Sequence, residues 1–214
     1  MTRVFLTDVD ICNDAIARVG GKLIQSIESP TTLTENYCAT MYPKNRRIVL
    51  RSAVWNFART TKEIAKSSEQ AKGYAGVYPL PNDFLRLLGV IGMDLMGYDT
   101  DRYRLSDNKL YLVDCGTPSI ELEYIRDVED ATRFDPLFTE ALSLRLAYNL
   151  QYALSGKNTT AQRLYEEYQL ALAEAKSIDG QEQKPIRVQR SRWLAARRRG
   201  TVRSYASKTR YFED

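Results

Sequence analysis

The chain has no histidine among its 214 residues. That absence removes Ser-His and Cys-His nucleophile arrangements, histidine-containing zinc sites and the side chain most often used as a general base near neutral pH. Cysteine is scarce too. Cys12, Cys38 and Cys115 are odd in number, far apart and not at metal-ligand spacing, so they are expected to be buried apolar groups in a reducing compartment and not a disulfide framework. No window approaches the roughly 18 to 20 consecutive apolar residues of a membrane span. The opening stretch "MTRVFLTDVDICNDA" lacks the apolar core and small-residue cleavage site of a leader, which implies a protein made and kept in the cytosol, with no membrane partner.

What remains is a globular composition, 43% hydrophobic and 27% charged, with its charge unevenly spread. Residues 181–214 carry ten Lys or Arg against three acids, net +7, while residues 1–180 carry 21 basic and 24 acidic side chains, net −3. The overall +4 therefore hides a mildly acidic body and a basic arm.

Thr7-x-x-Asp10 has the form of a capping box, and Cys12, Ala15, Ile16 and Val19 follow at helical spacing until Gly20-Gly21 stops the helix. A second box, Thr32-x-x-Glu35, announces a longer helix carrying Leu33, Tyr37, Met41 and Ile48, which Pro43 must kink or restart. After about Ser52 the period changes. "LPNDFLRLLGVIGM", "RYRLSDNKLYLV" and "PSIELEYIRDV" are short apolar runs punctuated by Gly and Pro, with "SDNK" as a hairpin turn. Ile120, Leu122 and Tyr124 alternate with Glu121, Glu123 and Ile125 as a half-buried strand would, whereas "WNFARTTKEIA" fits helix or strand.

Helix returns at Asp135-Pro136, an N-cap and first-turn pair, and runs apolar on nearly every face to Leu154. Asn158 opens a partner helix with an inward stripe of Ala161, Leu164, Tyr165, Tyr168, Ala171, Leu172 and Ala175, and the short connection predicts antiparallel packing. "DGQEQKP" then has the composition of a linker. The expected fold is α+β, mainly a helical bundle with a small β-rich insertion and an extended basic C-terminal arm. Residues 1–52 are the N-terminal bundle helices, 53–134 the insertion, 135–180 the helical pair completing the bundle, and 181–214 the arm.

Paired carboxylates are the first place to seek acid–base chemistry. Glu121/Glu123 fall on the polar face of a strand, Asp99/Asp101 in a turn and Glu166/Glu167 on the wet face of a helix, and sequence spacing selects none of them. "YDTDRYRLSDN" lacks the ligand pattern, mid-loop Gly and terminal Glu of a calcium loop, and "VGGK" follows a helix where a phosphate cradle would precede one. No catalytic residue, metal or cofactor is expected, and the chain is read as a non-enzyme.

The arm contains "RSRWLAARRRGTVRSYASKTR", in which arginine outnumbers lysine eight to two over residues 184–210. Arginine favours bidentate contact with carboxylate or phosphate and stacking on flat surfaces. Ile186, Val188, Trp193, Leu194, Val202 and Tyr205 are interleaved with it, and a tail meant only to stay in solution would not need them.

The ordered series "ICNDAIARVGGKLIQSIESPTT", "MYPKNRRIVLRSAVWNFAR" and "VYPLPNDFLRLLGV" resembles the head-to-tail adaptor family of short-tailed bacteriophages, also called tail tubular protein A. The matching features, over roughly residues 10 to 90, are a first helix ending at Gly20, an Ile-x-Ser-Ile segment, Trp55-Asn56-Phe57-Ala58, and a step in which Tyr78, Pro81 and Asp83 stand as Tyr-x-Leu-Pro-x-Asp. Where the family often has His-Pro before the tryptophan, this chain has Ala53-Val54. These motif residues read as structural.

The resemblance implies a virion protein at the head-tail junction, synthesised in the host cytoplasm and assembled as a ring, commonly of twelve copies, beneath the portal protein. Such a ring is the platform for the tail nozzle protein and fibres. It also implies that the arm lies along the portal, with Arg187, Arg190, Arg192, Trp193, Arg197, Arg198, Arg199 and Arg203 at that interface. Two other readings compete. A non-specific nucleic-acid-binding protein would use the arm as its electrostatic footprint, although the body is net acidic. A peptidoglycan hydrolase of the tail would need a carboxylate pair that the sequence does not single out.

Overall fold

The computed structural model describes residues 6–93, 102–155 and 158–182. The chain divides into two units, Met1–Glu182 and Gln183–Asp214, and every described residue belongs to the first. In chain order the elements are α1 (Asp8–Val19), α2 (Leu33–Ser52), a 3-10 turn (Asn56–Ala58), β1 (Arg59–Ala65), β2 (Gly76–Pro79), β3 (Phe84–Val90), β4 (Tyr103–Ser106), β5 (Lys109–Leu112), β6 (Ser119–Arg126), a second 3-10 turn (Ala131–Arg133), α3 (Pro136–Ser155) and α4 (Asn158–Glu182).

Both capping boxes close. Thr7 and Thr32 each accept the backbone N–H of the residue three on, and Asp10 and Glu35 reach back to the cap N–H. Helix α1 ends on Gly20, whose φ of 74° is left-handed backbone that a side chain would strain. Helix α2 runs through Pro43 to Ser52 without restarting. Its buried stripe differs from the expected one. Cys38, Tyr42, Asn45, Arg46, Val49 and Leu50 face inward, whereas Leu33 and Ile48 are 66% and 39% exposed.

Helix α3 is the centre of the helical layer, packed by α1, α2 and α4. Asp135 caps it by accepting the N–H groups of Leu137 and Phe138 at 2.8 and 3.3 Å. Helix α4 runs antiparallel to it, because Tyr148 stacks near Tyr165 and Arg145 sits over Tyr168, so that contacts advance along one helix as they retreat along the other. Helix α4 also continues to Glu182, so the first residues of the expected linker are helical.

The expectation of a mainly helical bundle is overturned. The described residues form an α+β fold of four helices and two three-stranded antiparallel sheets, about 49% helix and 21% strand. One sheet has the order β1-β6-β3 and the other β2-β5-β4. The segment read as a small insertion builds a second core of its own, in which Ile64, Tyr78, Val90, Leu110, Leu112, Ile120, Leu122 and Tyr124 pack together. Strands β2, β4 and β5 have only four residues each, too few for a period to be read with confidence from sequence.

Strand β6 serves both cores. Ile120, Leu122 and Tyr124 face the sheet core, while Ile125 belongs to the helical one with Trp55, Phe138 and Leu142. The β4–β5 hairpin turns at Asp107 and Asn108, with φ of 52° and 56°, the left-handed pair that a two-residue turn of this hand requires. No helix among the described residues is long and apolar enough to cross a membrane.

Candidate functional site

Trp55 leaves the end of α2 fully buried, with its indole N–H donating to the Val49 carbonyl at 2.9 Å. Its ring meets Phe138 nearly edge-on at 5.1 Å, and Phe57 closes on the same Phe138 at 5.0 Å, an aromatic arrangement favoured by the ring quadrupoles. Asn56 between them points elsewhere. Its backbone N–H and side-chain amide both donate to Asp179, at 3.0 Å each, which ties the 3-10 turn to the far end of α4.

The second motif group sits in the sheets. Tyr78 is buried, and its hydroxyl donates to the Thr117 carbonyl at 2.8 Å with the Cys115 sulfur 3.8 Å away; burial pushes its phenol up. Pro81 opens the turn into β3 by accepting the Phe84 N–H. Asp83 accepts the Tyr124 hydroxyl at 3.0 Å through its side chain and the Asp127 N–H at 2.7 Å through its carbonyl. Burial and this contact push the Tyr124 phenol up to about 12. Gly20, Trp55, Asn56, Phe57, Tyr78, Pro81 and Asp83 thus sit at helix stops, ring clusters and strand ends. The eight arm residues from Arg187 to Arg203, and the Asp99/Asp101 pair, lie outside the described residues.

One cluster was not foreseen. Consecutive Arg46 and Arg47 on α2 share Asp127, which follows β6: Arg46 reaches Oδ1 at 3.1 Å and Arg47 reaches Oδ2 at 3.3 Å, with Glu129 3.4 Å from Arg46. Arg46 and Asp127 are only 7% and 13% exposed at the side chain. This ion cluster bolts the helical layer to the sheet layer. Its sequence signal is the Arg-Arg pair on a helix, but the carboxylate lies 81 residues away.

Beside the cluster is an open cleft of about 470 Å³ lined by Asn82, Asp83, Arg126, Asp127, Val128, Glu129, Asp130 and Arg133. Its carboxylates are already engaged. Asp127 holds the arginines, Asp83 takes Tyr124, and hydrogen bonds from Thr132 hold the Asp130 carboxyl below its usual range. A second cleft, about 410 Å³, lies along residues 66–77, where Lys66 donates to the Ala75 and Gly116 carbonyls. No group of three His, Cys, Asp or Glu among the described residues could hold a metal ion.

Among the described residues, the Glu121/Glu123 and Glu166/Glu167 pairs do not form a constellation. Glu121 is exposed and stands opposite Glu63 in the β1–β6 register, Glu123 is paired with Arg59, and Glu167 with Arg163 at 3.7 Å. Buried Cys12 and Cys38 have come together, and their mutual hydrogen bond with burial pushes the Cys12 thiol up.

Two helices also present exposed faces that mix charged and apolar side chains. The outward face of α2 presents Leu33, Thr40, Lys44, Arg47, Ile48 and Arg51, and that of α4 presents Arg163, Glu166, Leu170, Ala173, Glu174 and Ser177. Leu170 is 72% exposed. Compared with models of protein families and with curated proteins, the chain shows no match.

Proposed function

We propose that the chain is a structural virion protein, a head-to-tail adaptor that docks as a ring under the portal and carries the tail nozzle and fibres. The observation that carries this reading is the ordered motif series from Gly20 through Trp55-Asn56-Phe57 to Tyr78, Pro81 and Asp83, which resembles that family in order as well as type. In the fold Trp55 and Phe57 pack in the helical core and Tyr78 in the sheet core, which is consistent with a structural part for the motif. The clefts offer engaged carboxylates and no free acid–base pair, which favours a structural role over turnover.

The basic arm, net +7 beside a body of net −3, supplies the docking element in this proposal. A single arm contributes modest contacts, but many arms on one ring act together and raise the effective affinity by orders of magnitude. The test is co-sedimentation of the full chain, and of a form ending at Glu182, with the purified portal oligomer from the same genome, beside a duplex DNA control. The expected result is a larger particle of defined stoichiometry with the full chain only. If neither form binds portal while the full chain shifts DNA with a steep salt dependence, the nucleic-acid reading replaces this one.

A further inference from the structure

Two outward helix faces carry the same pattern with opposite sign. On α2, exposed Ile48 is flanked one turn away on either side by Lys44 and by Arg51, whose guanidinium also donates to the Leu85 carbonyl at 3.0 Å. On α4, exposed Leu170 is flanked by Glu166 and Glu174. At about 1.5 Å of rise per residue, the flanking charges lie roughly 10 to 12 Å apart on both helices, so an apolar centre and two charges can meet in one register. Helix α2 carries four basic residues and one acidic one, net +3, and α4 carries five acidic and two basic, net −3.

The single acid of α2 does not dilute its face. Glu35 is spent at the N-terminus, where it accepts the Thr31 and Thr32 N–H groups at 2.7 and 2.9 Å. Nor do the two aliphatic residues serve the core. The inward stripe of α4 is complete with Ala161, Leu164, Tyr168, Leu172 and Ala175, and that of α2 with Cys38, Tyr42, Val49 and Leu50. Leu170 and Ile48 point the other way, outside both cores.

We propose that the outward face of α2 in one copy docks on the outward face of α4 in the next, with Ile48 against Leu170 and the basic and acidic flanks paired. The occupant is a second copy of this chain because the two faces differ in net sign: Lys44, Arg47 and Arg51 make the α2 face basic, while on the α4 face Glu166 and Glu174 outnumber Arg163, which is paired with Glu167 at 3.7 Å. Two α2 faces, or two α4 faces, would oppose like charges. The contact is therefore head to tail, and such contacts make closed rings or open filaments. Closure into a ring rests on the adaptor reading, whereas the pairing of faces does not.

The experiment is sedimentation velocity of the full chain across concentration at low and moderate salt. It compares wild type with an α2-face variant, Lys44→Glu with Ile48→Ser, and an α4-face variant, Leu170→Ser with Glu174→Lys. All four side chains are exposed, so melting temperature and circular dichroism should match wild type. Wild type should self-associate, more weakly as salt screens the charges. Each variant should associate about tenfold more weakly or worse. An equimolar mixture of the two should stop at dimers, because it retains only one intact pair of faces.

Wild type that stays monomeric up to about 1 mM, or a mixture that assembles like wild type, overturns the proposal. So does association lost on ending the chain at Glu182, since the arm would then be the occupant. Adding portal separates the two readings. Face variants that still join portal at wild-type stoichiometry sink this inference alone. Wild type that self-associates as described but ignores portal sinks the adaptor reading alone.

Discussion

Replacing Asp127 by Ala removes the carboxylate that Arg46 and Arg47 share, and the consequence is set by burial. Arg46 is 7% exposed at its side chain and would keep only Glu129, 3.4 Å away and itself 82% exposed. Breaking a buried pair from one side costs about 3 to 5 kcal/mol because a charge is left without its partner. The remaining contact to Glu129 places the expected loss near the lower bound, about 3 kcal/mol. For a body of this size that is a fall of roughly 6 to 12 °C in melting temperature. The assay is thermal and urea unfolding of Asp127→Ala, of Arg46→Met with Asp127→Leu, and of wild type. Removing both charges together should recover most of the loss, since a buried pair replaced by apolar groups is often near neutral. A single-variant loss below about 1 kcal/mol, or a double variant no better than the single one, would refute the claim that this cluster joins the two layers.

Gly20→Ala should cost about 1 kcal/mol in the same melts, because φ is 74° although no atom lies within 4 Å of the added methyl; Gly20→Asn should cost less, and equal losses would contradict the backbone explanation. Hydrogen bonds from the Thr31 and Thr32 N–H groups hold the Glu35 carboxyl down at about 2, against an ordinary 4.5. A depressed carboxylate stabilises the fold above its unfolded value, so the gap in melting temperature between wild type and Glu35→Gln should shrink as pH falls from about 4.5 through about 2, and a constant gap would refute the cap's role. Trp55→Phe loses the hydrogen bond to Val49 and leaves a void against Phe138, an expected loss of about 2 to 3 kcal/mol by urea unfolding.

Features written in adjacent residues were legible before any coordinates. Thr7/Asp10, Thr32/Glu35 and Asp135 each carry their helix start within three residues. The "SDNK" turn is a matter of two residues that tolerate positive φ, and the alternation of β6 marks its two faces. What failed was pairing over distance. Strand β6 lies between β1 and β3, roughly 60 and 40 residues earlier, and nothing local announces that order, so a two-sheet unit looked like a minor insertion. The same limit hid Arg46–Asp127 and the meeting of Cys12 with Cys38. It also misplaced Ile48 and Leu33, because on α2 the buried stripe includes Asn45 and Arg46, polar residues that a hydrophobicity pattern assigns outward.

Substituting motif residues tests the fold and leaves the function untouched. Trp55 holds the aromatic cluster, Asn56 the end of α4 and Asp83 the end of β6, so a variant at any of them that fails to join a particle has two explanations. Lys44, Ile48, Leu170 and Glu174 are exposed and outside both cores, so a change there can alter association without altering stability. The arm follows the last described helix, so ending the chain at Glu182 keeps every described residue. Under the proposed assembly role, rigidity and adhesion fall on separate residues, the buried motif residues on one side and exposed Lys44, Ile48, Leu170 and Glu174 on the other. Variants that keep the melt and lose the particle are therefore the ones that can establish or refute an assembly role.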